Sequence, residues 1–478
     1  MDIKILGSSG IEPLQHSVFV CNKSTQWENL SLTAPEIEYI KKCVEKDETF
    51  IHINLLGRQL IIIIAESSNK PAKDMENLRK AGARIQQIIN KIKGDAVQII
   101  DSLNQESNLL CLCEGIVLST YRFNKYFTKK EEKENSIKSI FIVNLNHLEA
   151  FTELMNISEA VFAARKLINE PANVLTSTKL SDEMTRLAKD AGIEAEVFNK
   201  ARIEALKMGG LLAVNKGSVE PPTFTILTYK PENAQNKEPY IIVGKGIVYD
   251  TGGLSLKPTS DSMDYMKCDM SGAAAVTGAM YAIAKNKLPV YIIALVPSTD
   301  NRISATAYAP GDIIEMYDGT TVENMNSDAE GRIILADALA FAKQYQPKLV
   351  IDLATLTGSA AAAIGPYAMV AMGNASKEIF DALKISGDQV HERIVEFPFW
   401  DDYNELIKSD VADIKNIGGK AGGAIVGGKF MEHFTNYPYV HLDIAGVAFN
   451  KKEEAYRPKG GVGIGVRLLH EFIKNSIK

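Results

Sequence analysis

Short apolar runs alternate with segments of helical spacing along most of this chain, a pattern that is typical of α/β proteins. Before residue 150, the apolar runs 50–55, 58–65 and 139–144 predict strands. Between them, residues 73–93 carry aliphatic side chains at helical spacing, so we expect an amphipathic helix there. This part of the chain, residues 1–150, is therefore predicted to be an N-terminal α/β domain.

A second and larger domain is expected after a helical pattern at residues 154–169. That pattern runs into Asn169-Glu-Pro171-Ala-Asn173, where proline breaks the helix, and we predict a linker helix over residues 151–175. The fold class is α/β with two domains, each a mixed or mostly parallel sheet flanked by helices, and the larger domain, residues 176–478, is C-terminal. In it we predict strands at 223–228, 240–248, 290–296, 349–353 and 439–444, and helices at 272–284, 333–343, 379–385 and 462–473.

The composition is that of a soluble globular protein. The 478 residues are 46% hydrophobic and 23% charged, and the small net charge of -6 gives no support for binding nucleic acid or an acidic membrane surface. No apolar run approaches the roughly 18 residues that a membrane helix needs. The first residues lack the pattern of a secretory signal, and five cysteines are an odd, sparse set that favours reduced thiols. We therefore expect a cytoplasmic protein.

Two carboxylates and a guanidinium are close together in Asn326-Ser-Asp328-Ala-Glu330-Gly-Arg332, just before an apolar helical run. Taken alone, Asp328 and Glu330 are most simply acids that favour the start of a helix, because the helix N-terminus attracts negative charge. Arg332 is most simply their ion-pair partner. A second group of charged residues upstream changes this interpretation.

That second group lies at the ends of predicted elements. Asp250 follows an apolar run and precedes Thr251-Gly252-Gly253, while Asp269 precedes an alanine-rich helix. Lys245 lies within the buried run and could coordinate a cation through a neutral amine, whereas Lys257 could stay charged and stabilise an oxyanion. Taken singly, either lysine is more simply a solvated surface charge.

Four carboxylates that converge would repel one another unless cations or protons neutralise them. Two divalent cations that share bridging carboxylates are the simplest solution. Zn²⁺, Mn²⁺ and Mg²⁺ all suit such oxygens, and the residues do not choose among them. A water between the two cations would ionise to hydroxide near neutral pH and so provide a nucleophile.

Taken together, these segments closely resemble the leucyl aminopeptidase family of cytosolic two-metal exopeptidases, over about residues 155 to 470. The resemblance implies that one cation is held by Lys245, Asp250, Asp269 and Glu330, and a more exchangeable one by Asp250, Asp328 and Glu330. The motifs that carry it are Val243-Gly-Lys-Gly246, Asp250-Thr-Gly-Gly-Leu-Ser-Leu-Lys257-Pro258, Met266-Lys-Cys-Asp269-Met-Ser-Gly272 and Asn326-Ser-Asp-Ala-Glu-Gly-Arg332.

The resemblance also implies a reaction: a metal-bridging hydroxide removes the N-terminal residue from short peptides that have a free amino terminus. Lys257 would polarise the scissile carbonyl, and Arg332 would hold a bicarbonate that shuttles protons. The resemblance also implies a homohexamer, and we expect Zn or Mn as the metal, with Mg as an alternative. The positions that match the family's substrate-binding residues are Met266, Thr355 and Gly358, which line the side-chain pocket, and Leu356, which offers a backbone carbonyl.

The chain departs from the family pattern in three places. Ser327 replaces a threonine, one extra residue lies between Lys257 and Asp269, and Tyr439 stands where a tryptophan is common. Two other functions would share part of this pattern. A non-catalytic regulatory protein on the same scaffold would not need an intact ligand set. A two-metal phosphoesterase would gain nothing from a lysine ligand.

Overall fold

The computed structural model describes residues 2–12, 15–65, 67–145 and 147–477. The chain divides into two compact units. Unit 1 contains residues 1–162 and a short segment from much later in the chain, residues 452–458. Unit 2 contains residues 163–451 and 459–478.

Unit 1 is built on a six-stranded sheet within its described residues, in the order β1-β6-β5-β2-β4-β3. All neighbouring pairs are parallel except β3 with β4. The strands are Lys4–Ser8 (β1), Ser17–Cys21 (β2), Phe50–Asn54 (β3), Gln59–Ile64 (β4), Ala96–Asp101 (β5) and Ser139–Val143 (β6), and the helices are Ala34–Val44 (α1), Pro71–Lys91 (α2), Glu106–Leu118 (α3) and Glu149–Asn169 (α4), which continues into unit 2.

Local sequence explains several of these elements. Strand β4 is apolar at five of its six positions and is buried throughout, as expected for a strand covered on both faces. Helix α1 begins with a capping box, in which the Glu36 carboxylate accepts the Thr33 backbone N–H at 2.6 Å. The segment 452–458 adds a side chain to the buried part of this unit, because Tyr456 is 1% exposed and its hydroxyl donates to Glu76 Oε2 at 2.8 Å.

Unit 2 has a nine-stranded sheet among its described residues, in the order β16-β15-β18-β14-β9-β11-β8-β7, with β10 also paired to β11. Its strands are Glu194–Phe198 (β7), Thr223–Tyr229 (β8), Tyr240–Gly244 (β9), Gly246–Asp250 (β10), Ile292–Asn301 (β11), Leu349–Ala354 (β14), Met369–Gly373 (β15), Ile394–Glu396 (β16) and Tyr439–Asp443 (β18). Smaller sheets use Ile313–Glu315 (β12), Thr321–Glu323 (β13) and Ile414–Lys415 (β17), and Phe449–Asn450 (β19) with Gly460–Gly461 (β20).

Helices cover this sheet, and two of them are buried along nearly their whole length. Ser271–Lys285 (α8) and Glu330–Ala342 (α9) are rich in alanine and glycine, which lets them pack closely against β9 and β11. The remaining helices of unit 2 are Ser177–Ala191 (α5), Lys200–Ala205 (α6), Gly209–Asn215 (α7), Gly358–Ile364 (α10), Lys377–Gln389 (α11), Gly423–Glu432 (α12) and Val466–Ser476 (α13).

The central strands β18, β14, β9, β11 and β10 run parallel to one another. Their carboxyl ends therefore meet at one edge of the sheet. In open α/β sheets this is the edge where ligands bind.

The α/β fold class predicted from the sequence is confirmed, but three predicted elements differ in detail. The run 240–248 is two strands, because β9 pairs with both β14 and β11 whereas β10 pairs with β11 alone, and the change of partner falls at Lys245. The strand predicted at 290–296 begins at Ile292 and extends to Asn301 through four buried polar residues. The helix predicted at 462–473 begins only at Val466, after Gly465 in the left-handed region with φ 89°.

Candidate active site

The charged residues singled out in the sequence lie where strands end and helices begin. Lys245 follows β9, Asp250 is the last residue of β10, and Asp269 comes just before α8. Glu330 is the first residue of α9, and Asp328 precedes it by two positions. Since β9 and β10 are parallel neighbours of β11, both strands deliver their terminal residues to the same edge of the sheet.

Lys245 lies between two carboxylates. Its Nζ is 2.7 Å from Asp269 Oδ2 and 2.8 Å from Glu330 Oε1, and its side chain is 3% exposed. The same nitrogen donates to the backbone oxygen of Thr355 at 2.9 Å, and the Thr355 hydroxyl donates to Asp269 Oδ1 at 2.8 Å. The buried ammonium group of Lys245 thus joins Asp269 and Glu330, which are 61 positions apart in the sequence.

Lys257 makes a second link, between Asp250 and Asp328. Its Nζ is 2.9 Å from Asp250 Oδ2 and also forms an ion pair with Asp328 Oδ1. Only 14% of the Lys257 side chain is exposed, so its charge is directed into the cluster. The five predicted metal ligands and the predicted catalytic lysine therefore lie in one cluster. Each lysine pairs with two acids, and oxygens of Asp250, Asp328 and Glu330 lie close together.

The arrangement of the acids fits divalent cations. Asp250, Asp328 and Glu330 each offer an oxygen, and these atoms all lie within 4.8 Å of one another. Among the described residues, the buried atoms Asp269 Oδ2, Asp328 Oδ1 and Glu330 Oε1 lie beside lysine nitrogens but make no hydrogen bond of regular geometry. Several buried carboxylate oxygens with unused lone pairs are the donor set that hard or borderline metal ions take.

Burial and mutual repulsion perturb the ionisation of the acids. Burial, with repulsion from Glu330, raises the pKa of Asp250 to about 7. Burial also raises the pKa of Asp269. For Glu330, burial acts in the same direction but is outweighed by Lys245 and Lys257, so the pKa of this carboxyl is lowered. Such perturbed carboxyls in a cluster are typical of functional sites.

The two lysines remain charged beside these acids. Burial disfavours the charge on each, but the surrounding carboxylates outweigh it and raise the pKa of both Lys245 and Lys257. Both ammonium groups therefore help to neutralise the cluster. A neutral amine at Lys245 requires that another positive charge offset Asp269 and Glu330.

Arg332 lies in the first turns of α9 and is 7% exposed. Its Nη1 donates to the backbone oxygen of Asn416 at 2.6 Å, while its Nε is buried without a hydrogen-bond partner in the described part of the chain. Burial lowers the pKa of Arg332 to about 10, so it is still a cation at neutral pH. A buried cation with an unused N–H donor is suited to binding a small anion.

The predicted substrate-binding residues lie around the same edge of the sheet. Thr355 and Leu356 directly follow β14 and are half-buried, and Gly358 starts α10 and is exposed. Thr355 contacts Asp269, and the backbone N–H of Leu356 donates to Asp443 Oδ1 at 3.2 Å. Met266 is half-buried in the 3-10 helix Met263–Cys268 that ends beside Asp269.

Sequence reasoning missed one residue that contacts a predicted ligand. Asn301, the last residue of β11, is fully buried and donates from Nδ2 to Asp250 Oδ1 at 2.8 Å. The signal available in the sequence was the polar run Ser298-Thr-Asp-Asn301 that continues an apolar strand. Such a run is also typical of a strand that simply emerges into solvent.

Tyr439, one of the departures from the family pattern, is part of a buried polar cluster. Its hydroxyl donates to Asp352 Oδ2 at 2.6 Å, and His441 Nδ1 lies 2.8 Å from Asp352 Oδ1. Burial opposes a charge on His441, but Asp352 outweighs it and raises the pKa of this histidine. The hydroxyl thus gives the aromatic ring at this position a polar partner in the core.

Comparison with known proteins identifies the family. Residues 162–470 match the family model described as "Cytosol aminopeptidase family, catalytic domain". A probable cytosol aminopeptidase of Syntrophotalea carbinolica is 42% identical over 373 residues, which are 76% of this chain and 74% of the relative. A second one, from a Geobacter species, is 39% identical over 411 residues, 84% of this chain and 83% of the relative.

Solved structures agree in fold. A tomato leucine aminopeptidase mutant superposes with a TM-score of 0.86 at 26% identity and covers 99% of this chain and 96% of its own. The bottromycin maturation enzyme BotP in complex with Mn gives 0.84 at 27% identity and covers 98% of this chain and 100% of its own. The family resemblance expected from the sequence is confirmed: this chain belongs to the cytosol aminopeptidase family and is a metal-dependent hydrolase that removes N-terminal residues from peptides.

Proposed function

We propose that the cluster at the carboxyl ends of β9 and β10 is the catalytic centre and that it holds two divalent cations. Lys245, Asp250, Asp269 and Glu330 would be the ligands of one cation, and Asp250, Asp328 and Glu330 those of the other. The observation that carries this proposal is the triad Asp250, Asp328 and Glu330, whose oxygens lie within 4.8 Å of one another. When bound, the cations would supply a water that ionises near neutral pH and would polarise the scissile carbonyl.

Manganese or zinc is the proposed metal, with magnesium as an alternative. The Mn complex of the similar enzyme BotP supports manganese as the first ion to test. As a ligand, Lys245 would bind through its neutral amine. The two carboxylates beside it keep it protonated until a cation offsets their charge.

Lys257 and Arg332 would act on the substrate side of the centre. The Lys257 ammonium is held by Asp250 and Asp328 and stays charged, so it can stabilise the oxyanion that forms when the peptide carbonyl is attacked. Arg332 would hold a bicarbonate ion, which would supply a proton relay to the leaving amine. The unused Nε donor of Arg332 supports an anion at this position.

Substrate recognition would use the segment after β14. Met266, Thr355 and Gly358 would line the pocket for the first side chain of the peptide, and the backbone carbonyl of Leu356 would accept a hydrogen bond from the substrate. Substrates are short peptides with a free amino terminus. The half-buried or exposed state of these residues leaves them accessible from the edge of the sheet.

Three wider assignments belong to the same proposal: a homohexamer, a cytoplasmic location, and a domain division into residues 1–150, a linker helix 151–175 and a catalytic domain 176–478. The family's name supports the location. Within the described residues, no helix has the length and apolarity needed to cross a membrane. Light scattering of the purified protein would test the hexamer, and a monomer mass would refute it.

Two isosteric variants test the centre. Asp250→Asn and Glu330→Gln keep the shape of the two acids that both cations would share but remove a negative charge. We expect each variant to stay folded, to lose more than half of its bound metal, and to lose nearly all hydrolysis of Leu-p-nitroanilide. Wild-type turnover by either variant would refute the assignment.

The substrate assignment has its own control. Dipeptides with a free amino terminus should be cleaved, and the same dipeptides with an N-acetyl group should not, because the blocked nitrogen cannot bind a cation. Equal rates on both would refute the requirement for a free amine.

A further inference from the structure

A buried asparagine connects the end of β10, which carries Asp250, with the loop that carries Asp328. Asn301 Nδ2 donates to Asp250 Oδ1 at 2.8 Å and to the backbone oxygen of Ser327 at 2.9 Å. Both partners are acceptors, so the amide nitrogen must lie at this end of the side chain. Ser327 is the residue before Asp328, so one amide group contacts both the end of β10 and the loop that leads into α9.

The contact also determines which oxygen of Asp250 is available. Oδ1 accepts two hydrogen bonds, one from Asn301 and one from the backbone N–H of Gly252, each at 2.8 Å. Oδ2 is left on the side of Lys257, which also pairs with Asp328. A carboxylate with one oxygen held in this way presents the other in a single direction, which reduces the rearrangement needed to bind a cation.

The surrounding loop is shaped around this amide. The Asn301 backbone oxygen accepts both the N–H of Thr251, at 3.0 Å, and its hydroxyl, at 2.8 Å. Gly253, two residues after Thr251, has a φ of 62°, and a Cβ atom at this position would lie 2.9 Å from Asn301 Oδ1. Glycine therefore lets the chain pass directly over the amide.

The Ser327 loop is fixed by the same segment. The Ser327 hydroxyl donates to the backbone oxygen of Gly252 at 2.7 Å, and the Ser255 backbone N–H donates to the Ser327 hydroxyl at 2.8 Å. Asn301 connects this loop to the large sheet, because it is the last residue of β11 and pairs in register with Asp250.

We propose that Asn301 is a positioning residue of the metal centre: it orients Asp250 and sets the distance from Asp250 to the Asp328 loop, and so raises the affinity for the cation that these acids share. This inference rests on the function proposed above. Asn301 itself would touch neither substrate nor cation.

The test compares variants that remove different hydrogen bonds. Asn301→Leu has nearly the same volume and removes both contacts, and Asn301→Ser is too short to reach both acceptors. Tyr308→Phe is the matched control, because the Tyr308 hydroxyl donates at 2.8 Å to the same Ser327 oxygen and its removal leaves the hydrogen bonds of Asp250 in place. Each protein is stripped with a chelator and titrated with Mn²⁺ by calorimetry, kcat and KM are measured at saturating Mn²⁺, and the metal-free protein is melted.

We expect both Asn301 variants to bind Mn²⁺ roughly 10- to 100-fold more weakly, which is the usual effect of removing a residue that orients a metal ligand. Their kcat should stay lower at saturating Mn²⁺ with less change in KM, and Tyr308→Phe should keep wild-type affinity. If Asn301→Leu does not fold, Asn301→Ser decides the question by the same measurements.

Three results would overturn the inference. One is wild-type Mn²⁺ affinity and kcat in a folded Asn301 variant. Another is an equal loss in Tyr308→Phe, which would assign the effect to the Ser327 loop alone. The third is a lower melting temperature of the metal-free protein with unchanged affinity, which would make Asn301 purely structural. By contrast, wild-type protein that neither binds Mn²⁺ nor cleaves peptides would refute the proposed function itself.

Discussion

The packing between Gly331 and Lys245 makes a sharp prediction for Gly331→Ala. A methyl group on Gly331 would lie 2.5 Å from Cε and 2.8 Å from Nζ of Lys245. Since non-bonded heavy atoms normally stay about 3.5 to 4.0 Å apart, the lysine would have to retreat by about 1 Å. It has little freedom to do so, because Nζ is held at 2.7 Å by Asp269 and at 2.8 Å by Glu330.

The expected effects on stability and on activity differ in size. Overpacking a buried position costs about 1 to 3 kcal/mol, but alanine is favoured over glycine in a helix by up to about 1 kcal/mol. Gly331 is the second residue of α9, so part of the cost is offset, and the free energy of unfolding should fall by about 2 kcal/mol or less. Misplacing a catalytic group by 1 Å can reduce the rate about 100-fold, so we expect a loss of that order in kcat/KM.

The assay measures kcat/KM for Leu-p-nitroanilide at saturating Mn²⁺, together with urea unfolding of the same preparations. Gly57→Ala is the matched control, because a methyl group there would have no neighbour within 4 Å. That control should keep wild-type values in both measurements. A folded Gly331→Ala protein with unchanged kcat/KM would show that the exact position of Lys245 is unimportant, and would refute the reasoning.

Other groups give further expectations. Lys257→Met should reduce kcat strongly while metal content by elemental analysis stays near that of the wild type, and loss of metal would instead make Lys257 a ligand. Burial raises the pKa of Asp337 to about 7 from an ordinary value of 3.8, so its contribution favours the folded state most below about pH 4 and declines as the pH rises to about 7. Urea unfolding of Asp337→Asn should show a flatter pH dependence over that interval, and an unchanged slope would contradict this. Tyr439→Phe, which removes the hydroxyl from Asp352, should lower the free energy of unfolding by about 1 to 3 kcal/mol without changing KM, and wild-type stability would show that the hydrogen bond is dispensable.

The acidic cluster could be predicted because its residues occur in specific motifs and because several carboxylates close together need cations or protons to neutralise them. Lys245, Asp250 and Glu330 were each weak signals alone, and their assignment to one site came from the family resemblance that their motifs carry together. Asn301 could not be found in the same way. The role of Asn301 depends on its hydrogen bond to Asp250, which is distant in the sequence. A polar residue at the end of an apolar strand has no characteristic sequence pattern.

Within unit 1, the sequence predicted strands β3, β4 and β6 and helix α2, and it did not predict strands β1, β2 and β5 or helices α1 and α3. Helix α2 has a clear polar and apolar face, whereas α3 is apolar over most of its circumference and shows little periodicity. Strand β2 is buried at all five positions, so its residues show no alternation of buried and exposed side chains. The segment 452–458 belongs to this unit through contacts distant in sequence, which no local pattern encodes.

The late segment of unit 1 has a consequence for how the protein is made. Tyr456 donates to Glu76 across 380 positions, so the buried interior of unit 1 includes a side chain that is synthesised long after the rest of the unit. A nascent chain therefore cannot complete this unit until residues 452–458 have emerged from the ribosome. For the same reason, an expression fragment cut at residue 162 would lack part of its own interior, and a fragment grafted with residues 452–458 would be the better starting point.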